Sequence, residues 1–257
     1  MEIESITIIG GYGKSGLPEP VREVELRRGE IVSIVGPTGS GKTTLINDIE
    51  MFASGDTPTK RKILVNGREV PEEVRSNPRS KPIARITQHT TFLSDLPVYE
   101  FLSLHAMIRQ NRCEGLVEKT LALANQLSGE SIPPDCRMTE LSGGQTRALL
   151  IADAVVIGNS PIVLIDEVEN TGIYKDRALN MLRESRKMLV FVTHDPLIAL
   201  SSDFRIVMRN GAMVKVVRTT EEERIALQKV KRLDDVLNEL RENIRLGNPI
   251  DPAKVVV

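Results

Sequence analysis

Long apolar runs, paired cysteines, a surplus of one charge and aromatic residues are all scarce in this chain, and each scarcity excludes something. The longest mostly apolar stretch, Ala148 to Ile157, is interrupted by Asp153 and falls well short of the ~20 residues a helix needs to cross a bilayer. The N-terminus carries Glu2 and Glu4 and soon meets Gly10 and Gly11. That is neither the basic start nor the apolar run of a secretory signal, so the expected location is the cytoplasm. Cys113 and Cys136 stand 23 residues apart with no C-x-x-C spacing, which supports neither a disulfide framework nor a zinc site; ordinary thiols are expected. Lys plus Arg number 34 against 35 Asp plus Glu, a net charge of -1, which argues against a chain that coats nucleic acid or anionic lipid. There is no Trp and there are only 3 Tyr and 5 Phe, so a local concentration of aromatics stands out. Phe92, Tyr99 and Phe101 fall within Thr91 to Phe101, together with Leu93 and Leu96.

What remains is an ordinary globular composition, 40% hydrophobic and 27% charged over 257 residues, close to the average of soluble domains. At about 150 residues per domain that length predicts one large domain or two small ones. Between Ile3 and Val35 the pattern is strand-like: Ile3 to Ile9, Val21 to Leu26 with Val21, Glu23 and Glu25 alternating, and Glu30 to Val35, separated by Gly and Pro clusters. Lys42 to Phe52 reads as a helix, and strands recur at Lys62 to Val65 and Pro82 to Thr87. From Pro97 to Leu127 the apolar residues Leu102, Leu104, Met107, Ile108, Leu116, Leu121, Leu123 and Leu127 take helical spacing. A helix from about Ser142 to Ile157, strand Ile162 to Ile165, helix Asp176 to Ser185, strand Met188 to Thr193, and strands Phe204 to Arg209 and Met213 to Val217 follow. Buried strands alternating with helices predict an α/β fold, with a mostly parallel sheet covered on both faces and an antiparallel β portion near the start. Asn77 to Pro82 is the weakest-structured linker. Thr220 followed by Glu223 is a capping-box signal, after which Leu227, Val230, Leu233, Leu237, Leu240 and Ile244 predict one amphipathic helix ended by Gly247 and Pro249. Its apolar stripe is expected to pack on its own domain.

Three motifs carry chemistry. GPTGSGKT, Gly36 to Thr43, follows an apolar strand and opens a helix, as G-x-x-x-x-G-K-[ST] must to work. Gly36, Gly39 and Gly41 let successive backbone N–H groups turn toward a phosphate, and the helix N-terminus adds about half a positive charge there; Pro37, Thr38, Ser40 and Thr44 complete the candidate nucleotide-binding loop. Lys42 reaches the outer phosphates and the Thr43 hydroxyl is a ligand for Mg²⁺. PIVLIDE, Pro161 to Glu167, is an apolar strand ending in two carboxylates: Asp166 is placed to hold the Mg²⁺, and Glu167, on the other side of the strand, to polarise an attacking water. LSGGQ, Leu141 to Gln145, opens another helix. Alone it reads as a Ser-capped helix start, and it is also a second phosphate-ready N-terminus.

With LSGGQ in place beside the other two motifs, the chain resembles the nucleotide-binding subunit of an ATP-binding cassette (ABC) ATPase over about Ile3 to Val217. The resemblance implies a P-loop NTPase fold with a small helical subdomain inserted at about 89–158, an ATPase domain over 1–218 and a separate C-terminal helix and tail over 219–257. It implies that Gln88, 46 residues after Lys42, is the glutamine that senses Mg²⁺ and water, and that His194, 27 residues after Glu167, contacts the outer phosphate. Tyr12 is the candidate for stacking on adenine. It further implies a head-to-tail homodimer, with ATP and Mg²⁺ between the P-loop of one copy and Ser142, Gly143, Gly144 and Gln145 of the other. Two departures stand out. VENTGI, Val168 to Ile173, replaces the family's PTSALD, so Ile173 stands where an aspartate is usual, and Asp153 stands where Arg is usual.

The leading functional reading is ATP-driven transport through a separate integral membrane permease, with Thr91 to Phe101 as the surface that receives it; the same residues could instead seed the helical subdomain's core. A second reading is a non-transport ABC ATPase acting on a soluble assembly or nucleoprotein. A third is an ATP sensor that barely hydrolyses, which Asp166, Glu167 and His194 argue against. Direct binding of nucleic acid is not expected.

Overall fold

The computed structural model describes residues 2–76, 81–87, 90–109, 114–128, 130–166, 179 and 182–249. In chain order these form β1 (Ser5–Ile9), β2 (Glu23–Arg27), β3 (Ile31–Val35), α1 (Lys42–Glu50), β4 (Lys62–Val65), β5 (Arg68–Glu69), α2 (Glu72–Ser76) and β6 (Ile83–Ile86). Then come α3 (Val98–Ile108), α4 (Leu116–Ser128), a 3-10 turn (Met138–Glu140), α5 (Gly143–Val155), β7 (Ile162–Asp166), β8 (Met188–Val192), α6 (Pro196–Ser201), β9 (Phe204–Arg209), β10 (Ala212–Arg218) and α7 (Glu221–Arg245). Of the predicted helix Asp176 to Ser185, half lies outside the described residues, as do Asn77, Cys113 and Gln88.

Two sheets stack. The first has the order β2-β1-β4-β5 and is antiparallel throughout, which is the predicted N-terminal antiparallel portion. On β2, Val24 and Leu26 point inward while Glu23, Glu25 and Arg27 face out, the period-2 alternation of a half-buried strand. The second sheet has the order β10-β9-β3-β8-β7-β6, parallel except where β10 turns back on β9. Its central strands are buried on both faces and so read as continuous apolar runs. Val32, Ile34, Ile162, Leu164, Val190 and Val192 face α1 and the first sheet, in one core. Ile31, Val163, Ile165, Leu189 and Phe191 face the opposite way, onto Ala148, Ile151 and Val155 of α5 and Leu197 and Ile198 of α6.

A third core belongs to the middle of the chain. Val98, Leu102 and Ala106 of α3, Val117, Leu121 and Ala124 of α4, and Leu149 and Ala152 of α5 pack together with Ile132, Met138 and Ile157. The helical spacing from Pro97 to Leu127 is taken up by two helices, and Gly115, in the left-handed conformation at φ 74, turns the chain ahead of α4. Asp153, one of the two departures, is buried here and pairs with His105 Nδ1 at 2.8 Å, while Arg109 Nε donates to His105 Nε2 at 3.2 Å. Because a guanidinium only donates and a carboxylate only accepts, the ring carries its proton on Nδ1.

The aromatic stretch divides. Phe92 and Phe101 stack edge to face, ring centroids 5.1 Å apart, against the third core, whereas Leu93, Leu96 and Tyr99 are exposed. The C-terminal stripe divides as well, and this corrects the expectation that all of it packs on the domain. Leu227 and Val230 pack against α5, α6 and the sheet, but Leu233, Leu237 and Ile244 are exposed. A straight 25-residue helix rises about 37 Å at 1.5 Å per residue, so its later turns run on past the surface its first turns cover. Among the described residues no helix is long and apolar enough to cross a membrane.

Candidate nucleotide-binding site

The strand order decides what meets. β3 lies beside β8, and β8 beside β7, all parallel, so the residues after their C-terminal ends gather on one edge. That is where ligands bind in open α/β sheets. The edge collects the P-loop after β3, His194 after β8, and Asp166 at the end of β7.

The P-loop is held by close backbone approach. At Gly36, φ 152, a Cβ would meet the Met208 carbonyl oxygen at 2.4 Å; at Gly41, φ 100, it would meet Gly211 Cα at 2.8 Å. Any side chain at either place pushes a wall of the loop away. Gly41 caps α1 with no side-chain bond, and the first turn of α1 holds no acid, so no carboxylate of that turn competes for the leading N–H groups of α1. Ser40 Oγ is buried without a hydrogen-bond partner among the described residues, a polar orphan beside the loop. Pro37, Thr38, Gly39, Thr43 and Thr44 are exposed at the mouth.

Lys42 is 6% exposed. Its Nζ donates to the carbonyls of Gly36 at 2.9 Å and Pro37 at 3.2 Å and lies 3.1 Å from His194 Nε2. Two residues 152 apart in sequence thus meet over the loop, and since an ammonium only donates, Nε2 is the accepting nitrogen. Asp166 is 9% exposed; its Oδ2 accepts from Arg85 Nη2 at 3.3 Å, while Arg85 Nη1 donates to Asn47 Oδ1 at 2.6 Å and Glu50 Oε2 at 2.7 Å on α1. Arg85 therefore ties the carboxylate at the end of β7 to the P-loop helix. Tyr12 is about half exposed. Its loop reaches the P-loop through Lys14, whose Nζ donates to Gly39 O at 2.9 Å. Glu167 and Gln88 lie outside the described residues, as does Val168 to Ile173.

LSGGQ sits apart from this edge, at the start of α5. Ser142 Oγ accepts from Gln145 N at 3.2 Å and Gln145 Oε1 accepts from Ser142 N at 3.0 Å, a complete capping box. Gln145 Nε2 also donates to Ser131 O at 3.1 Å, so the Gln145 side chain is spent within its own chain. Ser142 and Gly143 are exposed, and Gly144 is half-buried. Lys14 and Arg85 reach the site without any sequence signal, because each acts across a gap in sequence that the fold closes.

A glycine-rich loop after the central strand of a parallel sheet, a helix N-terminus free of side-chain caps, a buried lysine on the loop and a carboxylate two strands away define a P-loop nucleoside triphosphatase. The ABC transporter family model matches residues 22–170. An uncharacterised ABC transporter ATP-binding protein of Methanocaldococcus jannaschii is 54% identical over 247 residues, which cover 96% of this chain and 95% of that one. A lipoprotein-releasing system ATP-binding protein of Chlorobium luteolum is 31% identical over 232 residues, covering 83% of this chain and 96% of the relative. Among solved structures, the ADP conformation of an ATP-binding cassette of an ABC transporter aligns with TM-score 0.62 at 23% identity, covering 91% of this chain and 98% of that one. A dimeric post-hydrolysis cassette bound to ADP and Pi aligns with TM-score 0.60 at 21% identity, covering 84% and 99%; both likenesses are of fold. The chain belongs to the ABC transporter family, as an ATP-binding subunit and an ATPase.

Proposed function

We propose that two copies of the protein pair head to tail around ATP, hydrolyse it, and by closing and opening drive a substrate through a separate membrane-spanning partner from the cytoplasmic side. The observation that carries the transport part is an apolar surface on the helical region. Leu93 is 99% exposed, Met107 68% and Ile108 66%, with Leu96, Tyr99 and Leu104 about two-fifths exposed beside them in the chain. Apolar surface of this kind supports a protein or membrane interaction site, and Leu93, Leu96 and Tyr99 lie in Thr91 to Phe101, the segment for which the family resemblance implies a permease contact.

Within the site, the N–H groups of Gly39 to Thr44 and the Lys42 ammonium bind the phosphates. Tyr12 stacks on the base, and Ser142, Gly143 and Gly144 of the second copy meet the γ-phosphate from the other side, with Gln145 holding their helix start in shape. The oxygen donors Thr43 and Asp166, with Gln88, suit a hard cation; Mg²⁺ bound there supplies charge neutralisation of the phosphates. Glu167 takes the proton of the attacking water, and His194, beside Lys42, donates a hydrogen bond to the γ-phosphate.

The test is co-purification of the Glu167→Gln protein with ATP from its own cells in mild detergent. The expected result is loss of hydrolysis, a dimer on gel filtration and a polytopic membrane protein in stoichiometric amount. Recovery of a soluble assembly alone would replace transport with the non-transport reading, and parent-rate hydrolysis would remove Glu167 from the mechanism.

A further inference from the structure

Behind the Tyr12 loop lies a set of charges that makes no contact with the phosphate cradle. Arg61, just ahead of β4, and Glu19 are each 0% exposed, and Asp48 on α1 is 2% exposed. Arg61 donates from Nε and Nη2 to the two oxygens of Glu19 at 3.0 and 2.6 Å, from Nη1 to Asp48 Oδ2 at 2.9 Å, and from Nη2 to Gly211 O at 2.8 Å. The carboxylates are satisfied further. Glu19 accepts from Gly11 N at 2.8 Å and Met213 N at 2.6 Å, and Asp48 from Thr59 Oγ1 at 2.8 Å. Burial pulls the Arg61 guanidinium down, but the bonds and charges of Glu19 and Asp48 outweigh it and leave it above its ordinary value.

Each branch of this network ends on a wall of the nucleotide site. Gly11, held by Glu19, precedes Tyr12, whose own N–H donates to Thr59 O at 2.7 Å. Gly11 fits there only as glycine, since a Cβ would stand 2.0 Å from Thr59 O. Asp48 is one turn and a half into the P-loop helix. Gly211 abuts Gly41 and donates its N–H to Ser40 O at 2.8 Å. Buried ion pairs add little net stability over an apolar core of equal volume, but breaking one by removing a partner is costly. Such a network is therefore better explained by the geometry it fixes than by stability.

We propose that Arg61, acting through Glu19 and Asp48, is a positioning residue that sets the placement of the Tyr12 loop against the P-loop, and with it the preference for a nucleoside triphosphate over a bare triphosphate chain. The inference rests on the reading of Tyr12 as the residue that stacks on the base.

The test is a competition titration on the full chain, measuring Kd for ATP and for inorganic triphosphate against a fluorescent ATP analogue, in the parent and in Tyr12→Ala, Arg61→Lys and Thr59→Val. Thr59→Val is nearly isosteric, removes the hydroxyl that donates to Asp48 and also meets Thr57 Oγ1 and the Arg61 N–H, and keeps the test open if Arg61→Lys does not fold. The expected result for Thr59→Val and Arg61→Lys is an ATP Kd raised about five- to tenfold with triphosphate moved less than about twofold, and a KM for ATP that rises more than kcat falls. Equal losses for both ligands would mean that the network merely supports the P-loop, and would overturn the proposal. A lowered ATP preference in Tyr12→Ala together with a parent-like preference in Thr59→Val and Arg61→Lys would overturn the positioning role alone. An unchanged preference in Tyr12→Ala would remove the stacking reading and this inference with it.

Discussion

Two helix N-termini in this molecule read alike in sequence, each a serine among glycines ahead of a helix, and the structure builds them in opposite ways. At α1 the N-cap is Gly41 in a left-handed conformation with no side-chain bond, and the loop before it is wedged against Met208 and Gly211. At α5 the N-cap is Ser142, closed by its own capping box with Gln145. The first end leaves its backbone donors for a ligand and puts a buried lysine beside them. The second satisfies part of its own donors and presents an exposed serine and glycine outward. One chain thus carries one helix start left open from within and one closed on itself with its serine and first glycine turned outward. Helix termini alone do not predict which; the surrounding packing does.

The comparison breaks most severely at Gly41. Gly41→Ala puts a methyl group 2.8 Å from Gly211 Cα at a backbone conformation that costs a non-glycine residue about 1–3 kcal/mol. Nucleotide binding by isothermal titration is expected to disappear, with a lowered melting temperature. Gly143→Ala, whose nearest neighbour to a Cβ is the tip of the Arg147 side chain at 3.4 Å, should leave binding by a single copy intact, and its loss there would contradict the assignment of the two ends.

A smaller effect separates stability from chemistry. Ser142→Ala removes the cap of α5 at a cost of about 1 kcal/mol, a fall of roughly 2–4 °C in Tm for a chain of this size. Single-copy ATP affinity should stay within about twofold while hydrolysis drops. Unchanged hydrolysis would show that α5 contributes nothing across a dimer.

Inside the helical region, Asp153→Ala leaves the His105 Nδ1 proton without its acceptor and is expected to cost about 1–3 kcal/mol, read by chemical denaturation, with ATP affinity unmoved. A change in affinity would mean that α5 transmits strain to the P-loop.

The smallest effect is a control remote from both ends. Hydrogen bonding to Arg75 holds the Asp56 carboxyl down at about 2. The group's contribution is present above its unfolded value near 4 and is lost as pH falls through 2. The Asp56 side chain is half exposed, so solvent screening leaves less than about 1 kcal/mol. Asp56→Asn should lower the neutral-pH midpoint slightly, by that amount, and flatten the acid limb of the stability curve between pH 4 and 2.

Legibility followed the range of the interactions. β3, α1, β7 and β8 were readable because a doubly buried strand must be apolar throughout and a phosphate cradle must be glycine-rich. Boundaries moved by a residue or two at β2 and α5, where Val21 and Ile157 are apolar for packing reasons beyond the element. Thr91 to Phe101 left two readings open, and the structure gives part to each: Phe92 and Phe101 to the core, Leu93, Leu96 and Tyr99 to the surface. The stripe of α7 has one helical period along its whole length. Where the domain surface beneath it ends was decided elsewhere in the chain.

By itself the sequence determined the chemistry of contact with phosphate: local spacing dictates which N–H groups, hydroxyls and carboxylates a strand, loop and helix can offer. Only the tertiary structure decided what holds that chemistry in place. Lys42 meets His194, Arg85 meets Asp166, and Arg61 joins Glu19, Asp48 and Gly211 because the sheet order brings distant segments together. Charged side chains so buried carry no local signature, since an arginine in a loop looks the same in sequence whether water or two carboxylates surround it.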